Sequence, residues 1–108
     1  MRGGVVTDTL SPASGMGNIG SCGSMMAVAD KDAHLGMLIW TGNSTTPSGG
    51  TDNTYDFVLP ADYKPAYQAN TPLRNGAQGT GLQVRTDGKA RLTVTSNWTS
   101  ATLTYILE

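Results

Sequence analysis

Short runs of alternating apolar and polar residues recur along the chain, separated by clusters of Gly, Pro, Asn, Asp and Ser. Such alternation is typical of half-buried strands, and a regular spacing of about 8 to 12 residues is typical of β-sandwiches. The pattern predicts seven or eight short strands, at residues 5–10, 25–29, 33–41, 54–59, 67–73, 81–85, 89–95 and 101–107. We expect an all-β fold, with residues 1–108 forming one antiparallel, jelly-roll-like β-sandwich.

Two polar segments interrupt this pattern. Residues 11–24 are small and Gly-rich, which is typical of a flexible loop or linker, although such a segment could also pack closely against other chains. Residues 1–26 are therefore an ordered arm or a linker from a lost shaft. Residues 42–53 form a second long polar loop, and long loops in small domains are often functional.

The segment from Leu82 to Leu92 contains an Asp-Gly turn whose register can be predicted. A two-residue turn would pair apolar with charged side chains on one face of the hairpin. A three-residue loop of residues 86–88, with Gly88 in the left-handed conformation, instead pairs Leu82 with Leu92 and Val84 with Ala90. We predict this second register, with Arg91 on the outer face opposite Gln83.

Composition supports a single small β domain. The chain has 108 residues, with fifteen Thr and one Glu, so β-branched residues are common and strong helix formers are scarce. Net charge is −1, which gives no overall attraction for nucleic acid or an anionic membrane, and no apolar run is long enough to insert in a membrane. Residues 1–62 carry two basic and six acidic residues, and residues 63–108 carry five basic and two acidic.

Catalytic and metal-binding patterns are weak. His34 is the single histidine, so one chain cannot supply a His-containing triad or a multi-His metal site, and no enzyme activity, cofactor or metal is expected. Cys22 lies among Gly and Ser and is expected to be a small buried residue. Asp52 and Asn53 with Asp56 offer oxygen ligands for calcium, but without EF-hand spacing, and a solvated turn is the alternative.

The second half of the chain resembles a known family. The segment FVLPADYKP at residues 57–65, the Asp-Gly hairpin, Trp98 and the last strand at residues 103–107 resemble the C-terminal β-sandwich module of bacteriophage tail-fibre and baseplate receptor-binding proteins. The resemblance covers residues 57–107, about half of the chain. It departs from that family because no coiled-coil or collagen-like shaft repeat precedes it.

The resemblance implies a homotrimeric receptor-binding head at a virion tail tip, folded in the host cytoplasm, that binds a host cell-surface saccharide and contacts other virion proteins. A structural fibre or decoration protein and a bacterial carbohydrate-binding or adhesin domain are the alternatives.

Saccharide sites need aromatic faces and short polar groups. We therefore predict ligand contacts in the 42–53 loop and nearby, at Asp52, Asn53, Tyr67, Arg85 and Trp98. Core capping is the alternative role of Trp98, and Tyr63, between two prolines, is expected to pack.

A surplus of apolar residues also favours a homotrimer, because a small sandwich cannot bury all of them. The predicted interior contains Leu35, Ile39, Phe57, Leu82, Val84, Leu92, Val94, Leu103 and Tyr105. The predicted surplus contains Met16, Met25, Met26, Met37, Leu38, Trp40 and Ile106. For Trp40, the core is the alternative to a subunit interface. A neighbouring chain would cover the resulting patch, or residues 1–26 would fold back over it.

Overall fold

The computed structural model of the chain describes residues 4–95 and 99–108. Within them, the strands are β1 (Val5–Thr9), β2 (Gly23–Asp30), β3 (Leu35–Gly42), β4 (Thr54–Val58), β5 (Ala69–Thr71), β6 (Gly81–Val84), β7 (Lys89–Thr93) and β8 (Ser100–Ile106). Sheet A has the order β1-β2-β3-β8, and sheet B has the order β4-β7-β6-β5. All pairs are antiparallel. The predicted all-β sandwich is confirmed, and each of the eight predicted strands overlaps an observed one.

The connectivity differs between the two sheets. In sheet B, three consecutive strands joined as hairpins (β5, β6 and β7) are completed by β4, which lies beside β7. This is a Greek-key order, the unit from which jelly rolls are built. Sheet A begins instead as a meander of β1, β2 and β3, and β8 returns from the far end of the chain to lie beside β3.

The core between the sheets corrects the predicted orientation of β3. Met25 and Leu38 were predicted to be surplus, but they are buried in the core, whereas Leu35 is exposed and Ile39 is half-buried on the outer face. Trp40 is also buried in the core, which was one of its two expected places. Both parities of β3 are apolar, so the pattern alone could not choose between them. The packing of Trp40 determines which face of β3 turns inward, because the centroid of its ring lies 5.9 Å from that of Phe57 on sheet B.

The Gly-rich segment joins the two sheets. The N–H of Val58 donates to the carbonyl of Ser11 (2.9 Å), and the N–H of Ala13 donates to the carbonyl of Asp56 (2.8 Å), so this segment pairs with the edge of β4. Further along, Ile19 and Cys22 are buried, as predicted for the cysteine. Residues 11–24 are therefore part of the sandwich, not a linker that leaves it.

The hairpin between β6 and β7 has the predicted register. Leu82 pairs with Leu92 and Val84 pairs with Ala90, and all four side chains are fully buried. Gly88 has a φ of +88°, as the three-residue loop requires. This register places every second residue of β6 and β7, including Arg91, on the outer face of sheet B.

The outer face of sheet A is mostly apolar. Three rows run across its four strands: Thr9, Met26, Ile39 and Thr102; Thr7, Val28, Met37 and Thr104; Val5, Asp30, Leu35 and Ile106. We call these twelve residues the apolar face. Val5, Leu35 and Ile106 are about half exposed or more, and Asp30 is the one charged residue of the three rows. The surplus predicted for Met26, Met37 and Ile106 lies here.

Candidate functional site

The outer face of sheet B has the opposite character. Its central row runs through all four strands as Asp56, Arg91, Gln83 and Asn70, each paired with the next. Thr54, Thr93 and Gly81 form the row on one side, and Val58, Lys89 and Arg85 form the row on the other. We call these three rows the polar face. Carboxylate, guanidinium, amide and hydroxyl groups are therefore presented together on a rigid sheet.

An ion pair lies in the middle of this face. The Nε of Arg91 donates to Oδ1 of Asp56 (2.8 Å), and its Nη2 donates to Oδ2 (3.2 Å). The Nζ of Lys89 lies 4.0 Å from the same Oδ2. Asp56 is 8% exposed, so its carboxylate is shielded from water on most sides. The guanidinium of Arg91 holds the pKa of Asp56 below its ordinary value, chiefly through these hydrogen bonds.

Two cavities open on the polar face on either side of Arg91. The first has a volume of about 310 Å3, and its polar lining consists of Asn70, Thr71, Thr80, Gln83, Arg91 and Thr93. The second has a volume of about 320 Å3 and is lined by Met16, Thr51, Asp52, Thr54, Asp56 and Arg91. We call them the Gln83 cavity and the Asp52 cavity. Both reach the lower end of the size range of small-ligand sites.

A tight turn positions Asp52 at the rim of its cavity. Asp52 and Asn53 both have left-handed backbones, with φ values of +51° and +61°. The N–H of Thr54 donates to the carbonyl of Thr51 (2.8 Å), which closes a two-residue turn of the type that Asp and Asn tolerate best. The carbonyl of Asn53 accepts from the N–H of Val94 (3.0 Å), so the turn is fixed to the end of β7.

The Gly-rich segment holds the rest of the 42–53 loop. The N–H of Asn18 donates to the carbonyl of Ser48 (3.1 Å), and its side-chain amide donates to the carbonyl of Thr46 (3.1 Å). A Cβ at Gly17 would overlap the carbonyl of Ser48, so only glycine allows this approach. No pattern in the sequence indicates that the two polar segments contact each other.

The predicted site residues are only partly brought together. Asp52 lines the Asp52 cavity, and Arg85 lies on the polar face, where its Nη1 donates to Oε1 of Gln83 (3.3 Å). Asn53 contributes a backbone contact at the turn. Tyr67 is 72% exposed ahead of β5, and it does not line either of these cavities. Trp98 lies outside the described residues.

The predicted site did not include the centre of the polar face. Asn70, Gln83 and Arg91 were absent from it, and Asp56 had been considered only as a calcium ligand. The signal was nevertheless present, because the predicted hairpin register already places Gln83 opposite Arg91 on the outer face. What the sequence does not reveal is that β4 and β5, distant along the chain, extend this row on both sides.

Within residues 4–95 and 99–108, no three His, Cys, Asp or Glu side chains lie close enough to hold a metal ion. The same part of the chain contains no helix that could cross a membrane. No protein-family model and no curated protein matches the sequence.

Proposed function

We propose that this domain is the receptor-binding head of a phage tail, which binds a host-surface saccharide through the polar face and assembles into a homotrimer through the apolar face. The observation that carries the proposal is the contrast between the two outer faces of one sandwich. One presents seven aliphatic and thioether side chains with four threonines and one aspartate, and the other presents an ion pair, amides and hydroxyls beside two cavities.

The polar face suits a saccharide because sugars offer hydroxyls that both donate and accept hydrogen bonds. The Asp56 carboxylate accepts, Arg91 donates, and Gln83 and Asn70 can do both. These groups lie on paired strands, so their spacing is fixed by the sheet before a ligand arrives. A fixed arrangement lowers the entropy cost of binding.

The apolar face suits assembly because most of its side chains are apolar and several of them are exposed. Four strands at about 4.8 Å spacing and three rows of side chains cover on the order of 300 Å2 of sheet. The largest apolar patch on a typical soluble protein is about this size or larger, and such a patch is often functional. Three copies can bring this face together around a threefold axis, which leaves the polar face on the outside of the assembly.

Host cell-wall oligosaccharides test the binding half of the proposal. We expect backbone amide signals on β6 and β7 to shift on titration in a nitrogen-15 NMR spectrum. Asp52→Ala should weaken binding with its circular dichroism spectrum unchanged, and Trp98→Ala tests the predicted aromatic contact in the same way. Thr7→Ala on the apolar face is the matched control and should bind normally. Unchanged spectra across the polar face would refute saccharide binding there and favour a virion protein that only assembles.

Light scattering tests the assembly half. We expect a mass near three chains at micromolar concentration and a mass near one chain for Leu35→Asp, which puts a second charge beside Asp30 on the apolar face. Val58→Asp makes the same kind of change at an exposed residue of the polar face and should leave the trimer intact. A wild-type mass of one chain that does not change with concentration would refute the trimer.

A further inference from the structure

The two cavities of the polar face differ in charge. The Gln83 cavity is lined by one guanidinium, two amides and several hydroxyls, and none of the described residues that line it is acidic. The Asp52 cavity is lined by two carboxylates, those of Asp52 and Asp56, together with the same Arg91. A ligand that covers both cavities therefore meets a donor-rich pocket at one end and an acceptor-rich pocket at the other.

Arg91 joins the two cavities and keeps donors available. Its Nε and Nη2 are used by Asp56, whereas its Nη1 has no hydrogen-bond partner in the described part of the chain. The ion pair thus fixes the plane of the guanidinium and leaves one nitrogen for a ligand. The planar donor group of arginine matches the oxygens of carboxylates and phosphates.

The charge around Arg91 is not fully neutralised by Asp56. Lys89 is a second cation within 4.0 Å of the same carboxylate, so two positive charges share one negative charge at the centre of the face. Arg85 is paired with the exposed Asp87, so this pair adds no net charge. Asp56, Arg91 and Lys89 together carry one excess positive charge, which Asp52 balances from the other cavity. The Gln83 cavity itself is lined by the Arg91 cation and by no acidic residue, and a neutral sugar would not use that cation.

We infer that the saccharide carries an acidic substituent, a carboxylate or phosphate, whose oxygens bind Nη1 of Arg91 and the side-chain amides of Asn70 and Gln83. The hydroxyls of the same or the adjoining sugar face Asp52 and Asp56 in the other cavity. This inference rests on the proposed saccharide-binding function and specifies the class of its ligand.

A matched set of small probes tests the inference. Methyl glucoside, methyl glucuronoside and methyl glucoside 6-phosphate differ only at carbon 6, and each is titrated into nitrogen-15-labelled protein. We expect the acidic probes to bind about tenfold more tightly than the neutral one, with shifts at the side-chain amides of Asn70 and Gln83 and at Nε of Arg91. Comparing the two acidic probes identifies carboxylate or phosphate as the preferred group.

An isosteric variant separates charge from shape. Asn70→Asp places a carboxylate in the Gln83 cavity at an exposed position, and it should lower affinity for the acidic probes about tenfold while changing affinity for methyl glucoside less than about twofold. Asp52→Asn is the control in the other cavity. It should preserve or increase the ratio of the affinity for the acidic probes to the affinity for methyl glucoside.

Two different failures can be told apart. Equal affinity for neutral and acidic probes, or an Asn70→Asp variant that binds the acidic probes normally, would overturn the inference and leave the saccharide site in place. An absence of shifts on the polar face with all probes at their highest soluble concentrations would overturn both the inference and the proposed binding site.

Discussion

Replacing Asp56 by Asn should destabilise the sandwich through the loss of the ion pair with Arg91. The variant keeps the size and shape of the side chain but removes its charge and one acceptor of the two hydrogen bonds at 2.8 and 3.2 Å. Hydrogen bonds to charged groups contribute about 1.5 to 3 kcal/mol. Because the Arg91 side chain is about one third exposed, the lower part of that range applies, and we expect a loss of about 2 kcal/mol. For a chain of this size, that lowers Tm by about 10 °C.

The pH dependence of this loss identifies its origin. The pKa of Asp56 is lower in the folded protein than in the unfolded chain, so its contribution to stability is complete above the unfolded value of about 4 and disappears as the pH falls through the folded value. The free energies of unfolding of the wild type and of Asp56→Asn should therefore differ most near neutral pH and converge in acid. Urea denaturation at a series of pH values measures both.

A double-mutant cycle with Arg91→Met completes the test. The coupling energy between the two positions should be about 1 to 2 kcal/mol at neutral pH and should fall in acid. A coupling energy within about 0.5 kcal/mol of zero would refute the assignment of this stability to the ion pair. A difference in free energy of unfolding between the wild type and Asp56→Asn that persists in acid would also refute it.

Three further substitutions test individual contacts by thermal or chemical denaturation. Gly88→Ala should cost about 1 kcal/mol, because a Cβ disfavours the positive φ of the hairpin loop, and an unchanged stability would contradict the predicted turn. Gly36→Ala should cost several times more, since the added Cβ would lie 2.5 Å from the ring of Tyr105, and a loss below about 1 kcal/mol would mean that the ring moves freely. Tyr105→Phe should cost about 1 kcal/mol by removing the hydrogen bond from its hydroxyl to the carbonyl of Tyr63 (2.7 Å), and a neutral effect would exclude that bond as a source of stability.

Much of the sandwich could be predicted because its signals are local. Strand positions follow from alternation and from turn residues, and the β6–β7 register follows from charge and apolarity on the two faces of one hairpin. Tyr63, held between Pro60 and Pro65, was expected to pack and is fully buried. In each case the deciding residues lie within about a dozen positions of one another.

The predicted orientation of β3 was wrong and the predicted site was incomplete, because both depend on contacts between residues that are distant along the chain. Leu35 and Trp40 lie on opposite faces of a strand that is apolar on both, and only the fit of the indole against Phe57 determines which face turns inward. The predicted site lacked the centre of the polar face for the same reason. Asp56 contacts Arg91 only because β4 pairs with β7, and these strands are distant along the chain. Neither the contact between Trp40 and Phe57 nor the pairing of β4 with β7 can be recognised from the pattern of a single segment of the chain.

The row that contains Val5 and Ile106 also shows that the domain is suited to circular permutation, because it brings the first and last strands near each other. These residues lie on the two outermost strands of sheet A at the same level, about 14 Å apart across three strand spacings. A Gly/Ser linker of about six residues has a mean span of similar length. The first and last strands could therefore be joined and new ends opened at the exposed residues 77–79, between β5 and β6, without breaking a strand pair. A circular permutant of this kind would keep both sheets while changing the order in which their strands are synthesised.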